Sequence, residues 1–207
     1  MVDKGYPNLK TALNLWEKGI EERCCKSYGF EKENEYRFHT KGVALAASKI
    51  AELIPELNPE KAYILGLLHD YGKKICEGIE HNFHGRVGYE EMLKMGYNDV
   101  ARICLTHTFP EKDFNNINFS YPSNWLEWVR GRLKNIQYDD YDYLICLTDR
   151  FFEGLSMVSI EKRAFGIAQR YKINQQQIRY FTEQSFRLKT YFDKKTGKDV
   201  YITLGIK

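Results

Sequence analysis

The chain has 207 residues, of which 43% are hydrophobic and 14% aromatic, enough apolar matter for a sizeable core and too much for a disordered tail. Its 31 basic and 28 acidic residues leave a net charge of +3, which gives no reason to expect a surface built to coat nucleic acid. The five cysteines, Cys24, Cys25, Cys76, Cys104 and Cys146, are odd in number and form no Cys-x-x-Cys pair, so they read as reduced, small apolar filler and not as a disulfide framework.

Helical periodicity dominates to about residue 190, so the expected class is all-α and a single domain over 1–207. The opening segment, Met1 to Leu15, lacks a basic stretch followed by an apolar run, and no later stretch is apolar for long enough to span a bilayer. A cytoplasmic protein with no membrane partner is therefore expected. A first amphipathic helix is predicted over 9–27, with Leu9, Ala12, Leu13, Trp16 and Ile20 on one stripe. A second covers about 35–57. A third opens at Asn58-Pro59, a capping residue followed by proline at the first helical position, and Gly72 is placed to stop it. A fourth covers about 86–95, and a fifth runs from Asn98 to about Thr106. Residues 108–124 break the pattern with Pro, Asn and Ser, and a short helix is expected over 125–133. The insert 109–134 carries Phe109, Phe114, Phe119, Tyr121, Trp125, Trp128, Arg130 and Arg132, read as an aromatic packing element able to line a pocket as a lid. Helices follow at about 138–155, 160–171 and 174–189. Two β-prone runs around Gly197 predict a small C-terminal hairpin, so the segment 160–205 is expected to be helices followed by a hairpin.

Polar residues fall on the apolar faces of five of these helices. His39 is in line with Val43, Ala46, Ala47, Ile50 and Ile54. His69 is in line with Ala62 and Leu65, His84 leads Val87 and Gly88, His107 continues Val100, Ile103 and Cys104, and Asp149 continues Tyr141 and Ile145. A single such histidine is ordinarily a satisfied core residue. Several imidazoles sharing an interior with Asp70 and Asp149 satisfy one another poorly, and a bound cation resolves the conflict. Mixed nitrogen and oxygen ligands suit Fe, Mn, Ni, Co or Zn better than Ca or Mg. The fifth histidine, His81, lies in polar chain and is set aside in favour of His84.

His39, then His69-Asp70, then a late Asp149 after apolar residues resembles the H…HD…D pattern of HD-superfamily metal-dependent phosphohydrolases. The segments HTKGVALAASKIAELI, AYILGLLHDYGK, FHGRVGYEEM, ICLTHTF and LICLTDRF are similar to motifs of bacterial HD-type diadenosine tetraphosphate hydrolases, over about 36–153. Departures are Tyr89 and Thr148 where that subfamily has Ala, Arg86 where an acidic residue is common, Arg150-Phe151-Phe152 at the end of the last motif, and a longer connection between His107 and Asp149. The resemblance implies an HD helical bundle holding two divalent transition metals. His39, His69, Asp70 and Asp149 would hold one, and His84, His107 and a bridging Asp70 the other. It implies a phosphoric ester or anhydride hydrolase acting on a nucleotide or dinucleoside polyphosphate. Asp70 and Lys73 are the expected catalytic residues, with Lys73 and Arg86 gripping phosphate. A di-iron oxygenase and a regulatory metal-binding module stay open as alternatives, as does homo-oligomerisation.

Overall fold

The computed structural model describes residues 4–24, 30–74, 83–112, 123–171 and 173–207. Ten α-helices occur among them: α1 Leu9–Cys24, α2 Phe30–Ala51, α3 Pro59–Leu68, α4 His84–Lys94, α5 Asn98–Thr106, α6 Ser123–Asn135, α7 Asp140–Asp149, α8 Ile160–Tyr171, α9 Gln175–Thr196 and α10 Val200–Leu204. The fold is all-α, and its one small sheet pairs β1 Phe152–Glu153 antiparallel with β2 Ser156–Met157.

The helices form where local chemistry allows their ends to be closed. Asn58 caps α3 by accepting the Lys61 N–H at 3.0 Å, and Pro59 follows as predicted. Asp139 and Asp142 close α7 with a reciprocal capping box. Apolar faces then pack α2, α3, α5 and α7 around Val43, Ala47, Ile50, Leu65, Leu68, Ile103, Leu144 and Ile145, all fully buried. α1 lays Trp16 and Ile20 onto the same core. Gly66 is what lets α3 meet α2 so closely, since a Cβ there would stand 2.8 Å from the Ala44 Cα. The insert helix α6 has a smaller core of its own, where Trp125, Val129 and Leu133 meet Leu105 and Phe109.

The structure corrects several expectations. The C-terminal hairpin is absent: α9 runs on to Thr196, and residues 200–204 are helical. Gly197 at φ 66° is a left-handed helix cap rather than a hairpin turn, and the Asp199 side chain caps α10 through the Ile202 N–H. Phe192, Val200 and Leu204 look β-prone in sequence, but burial on the main core holds them helical. The helix expected over 138–155 ends at Asp149, and the chain turns through Gly154 at φ 55° into the small sheet. Gly72 does not take a left-handed cap; a Cβ on it would lie 1.9 Å from the His84 carbonyl oxygen, so it permits the short 3₁₀ turn Tyr71–Lys74 to pack on the start of α4. His81 and the aromatics Phe114, Phe119 and Tyr121 of the insert lie outside the described residues.

Candidate metal centre

Five elements converge at one point. α2 supplies His39 from its middle, α3 supplies His69 at its C-terminal cap, and Asp70 follows directly. α4 begins with His84, α5 is capped by His107, and α7 ends on Asp149. Among the described residues, two clusters could hold an ion: His39, His69 and Asp70, and then Asp70, His84 and His107, with the ligand atoms of each within 4.8 Å of one another. Asp70 belongs to both. Its Oδ2 lies 3.4 Å from the Nε2 of both His39 and His69, and its Oδ1 lies 3.3 Å from His84 Nε2 and 3.5 Å from His107 Nε2. Asp149 Oδ1 adds to the first cluster at 3.0 Å from His39 Nε2 and 3.6 Å from His69 Nε2.

The ring orientations are set from behind. His69 Nδ1 lies 2.7 Å from the Gly66 carbonyl, and His107 Nδ1 lies 3.1 Å from that of Ile103. Each carbonyl can only accept, so each Nδ1 carries hydrogen and each ring turns its Nε2 inward, the atom that would ligate a cation once it gives up any proton. Nε2 meets Nε2 at 3.2 Å in His39–His69 and again in His84–His107. Asp70 Oδ1 is buried with no hydrogen-bond partner. Converging imidazole nitrogens beside an unsatisfied carboxylate oxygen suit a cation and are costly for a protein interior otherwise. The mixed imidazole and carboxylate donor set therefore fits divalent transition metals.

Charge reinforces the geometry. Burial works against an anionic Asp70, but the charges of Lys73 and His69 hold its carboxyl well below the ordinary range. Burial likewise opposes Asp149, and bonds from His39 and His69 overcome it. Burial disfavours a charged His69, yet Asp70 and Asp149 raise it to about 10. Burial and the charge on His69 push His107 down to about 4. One buried and one partly exposed carboxylate thus concentrate negative charge at this point. His69, Asp70 and His107 form the floor at 0, 0 and 2% exposure, while the side chains of His39, His84 and Asp149 keep 15, 13 and 20%, so the cluster opens to solvent on their side.

Lys73 also reaches the site, and its ammonium bonds Asp70 Oδ2. Arg86 is placed differently: its guanidinium pairs with Glu90 at 2.9 Å and stacks 4.8 Å from the Trp128 ring of α6. The sequence did not single out Tyr36, whose hydroxyl donates to the Asp70 carbonyl at 3.3 Å; Phe152, noted there only as a departure in the last motif, stands edge-on to His39 at 6.1 Å. Tyr36 lies three positions before His39 on α2, a spacing that could have marked it.

The HD-domain family model matches residues 36–153. The chain belongs to the HD family. HD domains are generally metal-dependent hydrolases, and the matched span contains every residue of the cluster. No curated protein and no solved structure matches the chain. Among the described residues, no helix is long and apolar enough to cross a membrane.

Proposed function

We propose that this HD protein is a phosphohydrolase with a dinuclear centre, acting on a nucleotide or dinucleoside polyphosphate. The observation that carries the reading is the meeting of two ligand clusters on one buried carboxylate, Asp70. His39, His69, Asp70 and Asp149 would hold one ion, and His84, His107 and Asp70 the second. Divalent ions there would supply Lewis acidity to a phosphoryl oxygen and to the attacking water. Asp70 orients the two halves of the site around a common point. His69 and His107, fixed by backbone carbonyls, keep their Nε2 atoms aimed inward without relying on solvent.

Lys73 lies at the edge of the cluster with 21% of its side chain exposed, and its ammonium can turn from Asp70 to a substrate phosphate oxygen. Arg86, Trp128 and Tyr89 form a basic, aromatic edge between α4 and α6, where Tyr89 stands edge-on to Trp128 at 5.7 Å. That edge, with the insert, is our candidate for base selection. The motif likeness to diadenosine tetraphosphate hydrolases supports the choice of substrate class.

The test is metal analysis of the purified protein, then phosphate release from nucleotides and dinucleoside polyphosphates with Mn²⁺ or Fe²⁺, with and without oxygen. Release undiminished under anaerobic conditions is expected. Failure across the panel by fully metallated protein, or turnover that consumes oxygen and frees no phosphate, overturns the reading.

A further inference from the structure

Asp142 is fully buried in α7 and takes no part in the proposed chemistry. A capping aspartate needs one oxygen for its helix, and here Oδ2 accepts the Asp139 N–H at 2.8 Å. The other oxygen leaves the helix: Oδ1 accepts the Thr106 hydroxyl of α5 at 2.7 Å. Arg102 stands 3.5 Å from Oδ2 and offsets the charge. One turn further along α7, the Cys146 thiol donates to the Thr106 carbonyl at 3.4 Å. Thr106 is therefore held by its side chain and its backbone, from two positions on one face of α7. Asp149 continues that same face one turn later.

Thr106 is the last residue of α5, and His107 caps it. The backbone N–H and the Nδ1 of His107 both bond to the Ile103 carbonyl, so the last turn of α5 aims this ring. Whatever sets that turn against α7 also sets His107 against Asp70 and Asp149. We infer that Thr106 and Asp142 are positioning residues whose bond fixes the register of α5 on α7 and so completes the His84–His107 half of the centre. This rests on the dinuclear reading above.

The test is Mn²⁺ titration of the metal-free full-length protein, following free ion by electron paramagnetic resonance. The wild type should bind two ions. Thr106→Val, which keeps the shape and removes the hydroxyl, should weaken the second binding step by about tenfold and leave the first unchanged. Thr106→Ser should restore it. In a His107→Ala background, Thr106→Val should add no further loss, because its effect passes through that ring. If Thr106→Val does not fold, Thr106→Ala carries the same expectation. A wild type with two ions and an unaltered Thr106→Val titration overturns this inference alone, as does equal weakening of both steps. A wild type that takes up no metal overturns it together with the dinuclear reading.

Discussion

Two buried polar clusters in this protein behave in opposite ways. Around α9, the buried polar side chains Arg150, Gln184, Ser185 and Lys189 have each found a partner. Arg150 donates to Ser185 Oγ at 2.8 Å and Gln184 Oε1 at 2.6 Å and stacks 4.7 Å from the Phe181 ring, while Lys189 is shared between Asp193 and Asp199 at 2.8 and 2.6 Å. Around Asp70, imidazole Nε2 atoms crowd one another at 3.2 Å and a carboxylate oxygen stays unsatisfied. Equal burial thus serves two purposes. A cluster whose donors and acceptors match is structural, and one with a surplus buried acceptor could hold a cation.

That contrast can be broken or sharpened by substitution. Asp70→Ala should have the largest effect, stripping metal from both halves of the site and abolishing turnover; retained metal with unchanged thermal stability would falsify the assignment. Next, His84→Ala and His107→Ala should each lose activity while the protein still retains metal at the His39–His69–Asp149 half, as read by metal analysis. The α9 cluster should respond in the reverse sense. Arg150→Met should cost about 1–3 kcal/mol of stability by leaving buried acceptors unpaired, with metal content unchanged at saturating ion. A loss of metal there would show that the two clusters are not separate. Lys73→Ala should lower kcat/KM on phosphorylated substrates roughly tenfold without removing metal, because one charge-assisted contact is lost. Equal activity would place Lys73 at the helix end and nothing more.

The smallest effect concerns pH. The Lys189 bond holds Asp199 below the ordinary carboxylate range. A depressed carboxyl stabilises above its unfolded pKa, and that contribution is lost as pH falls through the folded value. Asp199→Asn should therefore melt below wild type at neutral pH, and the gap should close in acid, below about pH 4. No gap at any pH would assign the stabilisation to the cap on α10 alone, since Asn retains that.

The inward placement of the candidate ligands was legible because it rests on helical spacing. His39, His107 and Asp149 each continue an apolar stripe, and that periodicity survives folding whatever the neighbouring helices do. The N-terminal cap of α3 was equally local, written in Asn58 and Pro59. What depends on distant partners could not be read. Tyr191, Phe192, Val200 and Tyr201 favour strands by themselves, and only docking of α9 and α10 on the core makes them helical. Arg86 has the charge to grip phosphate, but the approach of α6 gives it Trp128 as a partner. Thr106 and Asp142 are 36 positions apart, and nothing local to either announces the bond between them. Sequence alone determined which side chains turn inward, because a helix period is a property of the backbone. The tertiary structure decided which of those inward groups satisfy one another and which are left facing a common point, because that depends on how the helices are set against each other.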